Sequence, residues 1–156
     1  MALPVYSNGQ ILNASDCNLW FMPIAAYKTA ATARTTLTKS IDPDLQITLA
    51  ASSVYQVQAS LIYVSANPMD FTWVIPASST GGYTMAGNQA GVGAGAFSFV
   101  WTATPGTAAA DTGVLIHGMI QTAGSGGTFG ISWASQSGPV LCTVGVGSIL
   151  TANRVG

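Results

Sequence analysis

From Val54 to Val64 the chain alternates between apolar and polar positions. Tyr55, Val57, Ala59, Leu61 and Tyr63 fall on one face, and Gln56, Gln58 and Ser60 on the other, which turns apolar again at Ile62 and Val64. A period of two predicts a strand with one face in a core and the other toward water or a partner. At ~3.3 Å per residue it would run roughly 35 Å, longer than the common strand of about five or six residues.

The same alternation recurs in shorter form. It places Leu45, Ile47 and Leu49 on one face, then Phe71, Trp73 and Ile75, then Phe97, Phe99 and Trp101. Val114, Ile116, Gly118 and Ile120 follow, then Phe129, Ile131 and Trp133. Between these runs lie turn signals: Asp42-Pro43-Asp44, Asn67-Pro68, and a Gly-Ser-Gly-Gly at 124–127. In the first, Pro43 fixes φ while the carboxylates can accept bonds from nearby backbone N–H groups. Such spacing predicts about eight or nine strands in an all-β, antiparallel, jelly-roll-like sandwich. Its aromatic faces would fill a gap of roughly 10 Å between two sheets. No internal repeat is present, so a solenoid or propeller is not expected. The Gly-rich segment 77–96 reads as a long loop against the sandwich edge or a neighbour.

Residues 1–26 follow a different pattern. Asn13, Ser15 and Asp16 are helix-cap candidates, Leu19, Trp20, Phe21 and Met22 form an apolar cluster, and Pro23 stops it. One or two helical turns are expected there, too short to persist without docking their aromatic side. We therefore read 1–26 as an N-terminal arm and 27–156 as one β-sandwich domain.

Charge changes the picture. Only nine of 156 residues are charged, none is glutamate, and the net charge is −1. This 6% compares with about a quarter in an average soluble domain. One reading is a neutral polar surface rich in Gly, Ser, Thr and Ala. The favoured reading is a surface covered by copies of itself or by another protein, because interface cores are depleted of Lys, Glu and Asp. Lys28, Arg34, Lys39 and Arg154 are too scattered to bind nucleic acid. No apolar run is long enough for a membrane helix, and the first residues lack the pattern of a secretory signal. Cys17 and Cys142 lack metal-ligand spacing, and two free thiols in a reducing cytosol are expected over a disulfide joining the ends.

Candidate chemistry is thin. The single histidine, His117, sits mid-strand on the face of Leu115 and Met119, where a hydrogen-bonded or interface role is expected rather than that of a general base. There is no G-x-S-x-G elbow and no H-E-x-x-H. Scattered aspartates do not make a paired-carboxylate glycosidase. The Gly-Val-Gly-Ala-Gly run at 91–95 lacks a P-loop lysine, and Asp42 with Asp44 lacks a third metal ligand. A sugar-stacking platform at Tyr83, Trp101 or Trp133 would need these side chains to point outward, whereas their alternation places them in the core. No catalytic residue, metal or cofactor is expected. Candidate partner-facing residues are Trp20, Phe21, Met22, Gln56, Gln58, Ser60, Tyr83 and Met85.

Residues 35–77 (TTLTKSIDPDLQITLAASSVYQVQASLIYVSANPMDFTWVIPA) resemble a segment of small virion proteins of tailed double-stranded DNA bacteriophages, especially those of actinobacteria. GVLIHGMIQTAGSGGTFGISWASQ and TVGVGSILTANRV are similar to that family's closing hairpin and last strand, and NGQILNASDCNLWF to its arms. The resemblance covers most of residues 8–155 and its motifs are structural. This chain departs in placing Pro43 between the acidic residues and in carrying fewer charges. The resemblance implies a non-enzymatic β-sandwich virion protein, made in the host cytoplasm. The expected role is capsid decoration: a homo-oligomer, a trimer by expectation, standing on the major capsid protein at the capsid surface. The alternative is a minor tail or fibre protein that recognises host-surface glycans.

Overall fold

A computed structural model describes residues 22–65, 68–87, 98–101, 112–136 and 138–156. Eleven strands are present among them, rather than eight or nine, and all pairings are antiparallel. They are β1 (Ile24–Tyr27), β2 (Thr32–Arg34), β3 (Ser40–Leu49), β4 (Val54–Ser65), β5 (Met69–Val74), β6 (Thr80–Gly87), β7 (Ser98–Trp101), β8 (Thr112–Gln121), β9 (Gly127–Ser135), β10 (Cys142–Val144) and β11 (Ile149–Arg154).

The long strand predicted at 54–64 is β4, and it is the spine of a seven-stranded sheet. One side of β4 pairs with β8, which in turn pairs with β6. On its other side β10 and β11 lie end to end, Cys142–Val144 against Ser65–Tyr63 and Ile149–Arg154 against Ser60–Tyr55. Outside them β2 and β1 continue the same arrangement. The second sheet has four strands in the order β3-β9-β5-β7.

One core joins the inner faces. Tyr55, Val57, Ala59, Leu61 and Tyr63 are all buried, as the alternation predicts, and so are Val114, Ile116 and Ile120 of β8. From the four-stranded sheet come Leu45, Ile47, Leu49, Phe71, Trp73, Phe129, Ile131 and Trp133. Trp73 stacks on Phe129 at 4.7 Å between ring centroids, and Tyr63 meets Phe71 edge-on across the sheets at 5.9 Å. Such aromatic pairs add to the area they bury.

Two expectations change. Asp42-Pro43-Asp44 does not separate two strands but forms a bulge inside β3, where the register against β9 slips between Ile41 and Gln46. The expected carboxylate-to-backbone bonds are there: Asp42 Oδ1 accepts from the N–H groups of Asp44 and Leu45 at 3.0 and 3.3 Å. Proline within a strand fits a bulge on an edge strand, where no ladder bond is lost. The second change is that Thr80–Gly87, within the expected long loop, is strand β6, paired along its length with β8. Its glycines suggested a loop, yet Gly81 serves close packing, since a Cβ there would strike the Met119 carbonyl oxygen. Among the described residues the first strand is β1, which begins at Ile24. The helical turns expected before Pro23, and Trp20, Phe21 and Cys17, lie outside the described residues; Met22 is exposed.

Candidate functional site

Strand register defines the outer face of the seven-stranded sheet. Partners across an antiparallel pair share a face, so Gly82, Met119, Gln56 and Asn153 form one row. Thr84, His117, Gln58, Thr151 and Ala25 form the next. Leu115, Ser60, Ile149 and Tyr27 form the third. Ile62, Val64, Thr143 and Ala33 extend the face along β4, β10 and β2. No Asp, Glu, Lys or Arg among the described residues stands on it. Met119 and Tyr27, at 47% and 65% exposure, are large apolar side chains open to solvent. Between Gln56, Tyr83, His117 and Met119 lies a shallow depression of about 270 Å³, floored by Gly82 and Gly118. On the opposite, core-facing side a Cβ at Gly118 would approach the Gly82 carbonyl oxygen to 2.7 Å and Val57 Cγ2 to 3.2 Å, so β8 and β6 pack closely there.

The expected partner-facing residues divide accordingly. Gln56, Gln58 and Ser60 are brought together on this face. Tyr83 pairs with Gly118 on the opposite, core-facing side and is half-buried at its margin, where burial pushes its hydroxyl pKa upward. Met85 pairs with Ile116 through the backbone; its side chain, like Trp20 and Phe21, lies outside the described residues. His117 is half-buried beside Gln58 and Thr84. Trp133 is fully buried, so it cannot stack on a sugar. Comparison with family models and with curated proteins returns no match.

A second constellation was hidden from the sequence. Lys28 follows β1 at a paired irregularity, where residues 28–31 face 145–148. Its backbone bonds to Ser148 O and Gly147 N there at 2.9 and 3.1 Å. Gly147 has φ +86, which glycine adopts freely. Ser148 is buried, and its Oγ takes the Ile62 N–H at 2.9 Å, fixing the irregularity to β4. The Lys28 side chain turns inward from there to the bulge of β3. Its Nζ donates to Asp42 Oδ1 and Thr32 Oγ1 at 2.8 Å each and to Asp44 Oδ2 at 2.9 Å, which uses all three ammonium protons. Lys28 and Asp42 side chains have no exposure, whereas Asp44 keeps 38%.

The surroundings complete this clasp. Asp42 Oδ2 accepts from Trp133 Nε1 at 2.9 Å. Arg34 of β2 lies over the Trp133 ring at 4.1 Å and donates to the carbonyl oxygens of Ser40, Ile41 and Trp133. Cys142 is buried beside it, its thiol donating to Arg34 O at 3.3 Å; burial raises the thiol pKa, partly offset by Arg34. The clasp thus joins the edge of one sheet to the edge of the other. Only the Asp-Pro-Asp turn chemistry was readable in advance, since residues 28, 34, 42 and 133 meet only through the fold.

Proposed function

We propose that this protein is a non-enzymatic structural subunit of a phage virion, acting as a capsid decoration protein on the assembled shell. The observation that supports this reading is the outer face of the seven-stranded sheet, broad, uncharged and partly apolar. A surface of this kind can be covered without burying unpaired charge, the costliest event at an interface. The occupant we propose is a second copy of the chain, in a closed ring such as a trimer, with the major capsid protein as the docking partner of the assembled ring. Within the same reading the two-sheet fold is a jelly-roll-like sandwich. Binding only to the assembled shell would stabilise it by mass action.

The test is titration of the purified protein onto empty expanded capsids, with the mass of the free protein measured in parallel. Saturable binding at a fixed number of copies per shell is expected. Absence of binding to shells of any maturation state would overturn the decoration role.

A further inference from the structure

We propose that Lys28 and Asp42 condense into an intramolecular amide, an isopeptide bond that ties the two sheets together, with Asp44 as the proton carrier. The inference is independent of the virion reading, because it rests on the clasp alone. Lysine becomes a nucleophile when a dry pocket and a nearby base deprive it of its proton. Here Nζ is fully buried and 2.8 Å from the Asp42 carboxyl, so no diffusion separates the reacting groups. A neighbouring base is present in Asp44, 2.9 Å from the same nitrogen.

The Asp42 carboxyl is held as an electrophile would be. Three N–H groups point at it, those of Asp44 and Leu45 at Oδ1 and of Trp133 at Oδ2. Fixed dipoles of this sort stabilise the negative charge that develops on oxygen when a carboxyl carbon is attacked. Lys28 and Asp42 are also an ion pair taken wholly out of water, a costly arrangement, and condensation removes both charges. Asp44 is left with its charge at the solvent boundary.

The step balances without any co-reactant. One ammonium proton passes to Asp42 Oδ1 along their 2.8 Å hydrogen bond, the neutral Nζ attacks Cγ of the resulting carboxylic acid, and Asp44 takes a second proton from the nitrogen. The Nζ–Cγ bond forms, the tetrahedral centre collapses, and the Cγ–Oδ1 bond breaks. The departing oxygen leaves as water with two protons that began on Nζ, one of them returned by Asp44. Oδ2 remains as the amide oxygen, still accepting from Trp133 Nε1. The partly exposed side of Asp44 is the exit for the water.

Intact-mass spectrometry of the full chain, folded and then fully denatured, reads this directly. A mass lower than the sequence mass by one water is expected, with proteolysis and tandem spectra mapping a Lys28–Asp42 branched peptide. That mapping separates the bond from ring closure at an aspartate elsewhere. Asp44→Asn should keep the folded circular-dichroism spectrum but retain the full mass. Lys28→Arg, which keeps a cation but has no amine to be acylated, should also show full mass. Full mass in folded wild-type protein after prolonged incubation would overturn the proposal, and a water loss mapped to another residue would do the same. Bond formation in Asp44→Asn at the wild-type rate would remove Asp44 from the mechanism.

Discussion

On the inner margin of the seven-stranded sheet, Lys28, Arg34, Asp42 and Asp44 are packed against Trp133 and one another. On the outer face of that sheet, the rows through Gln56, Gln58 and Ser60 carry no formal charge from β6 across to β1. A chain with so few charges would be expected to display them for solubility. This one instead buries two of them completely and holds a third half-covered, while the described residues on the outer face of the seven-stranded sheet are all neutral. The contrast separates two roles. Charge fixes how the sheets are joined, and its absence makes a face available for association.

Breaking the clasp should have the largest effect. Asp42→Ala leaves the Lys28 ammonium and the Trp133 N–H buried with partners missing, and should cost about 3–5 kcal/mol in urea unfolding. A loss below about 1 kcal/mol would show that the clasp does not hold the sheets. Trp73→Ala, which removes a core ring stacked on Phe129, should cost a similar ~3–5 kcal/mol and calibrates the comparison. Gly147→Ala forces a side chain into a left-handed backbone at the irregularity that presents Lys28. About 1 kcal/mol is expected there, read as a fall in melting temperature with no change in assembly.

The opposite pattern is predicted for the outer face. Gln58→Lys should leave stability within about 0.5 kcal/mol yet abolish oligomer formation or shell binding, measured by light scattering and capsid titration. Unchanged binding would exclude this face from the interface. Smallest is a chemical readout at the clasp's edge. Because burial raises the Cys142 thiol pKa, its thiolate fraction at neutral pH is reduced, and Cys142, followed apart from Cys17 by peptide mapping, should react with iodoacetamide more slowly in native than in urea-unfolded protein. Equal rates would show that Cys142 is open to solvent.

Much of the fold was legible in the sequence because burial follows a period of two. Tyr55 through Tyr63, Val114 through Ile120, and Phe129 through Trp133 all lie where alternation places them. Where backbone geometry departs from that period, the reading failed. Pro43 and two flanking aspartates look like the end of a strand, but a bulge absorbs them without breaking β3. Gly81 looks like a loop residue, but with no Cβ to strike the Met119 carbonyl oxygen it lets β6 lie close to β8. The neutral row of Gln56, Gln58 and Ser60 could be found from one strand. Its extension through His117, Met119, Thr151 and Tyr27 required the register of three other strands, β8, β11 and β1. The clasp was illegible for a simpler reason: Trp133 lies 91 residues beyond Asp42, and no local pattern links them.

The long separation between β4 and β11 bears on how the chain is made. Thr151 and Gln58 face each other across 93 residues of sequence. At typical synthesis rates β4 therefore waits on the order of 5–20 s for that neighbour to be translated. During this interval one side of a twelve-residue strand presents unpaired backbone groups, the kind of template that neighbouring nascent chains can extend. Few charges stand nearby to repel them. Slowing translation after β8, or crowding ribosomes on one message, should thus raise the aggregated fraction without altering the finished protein.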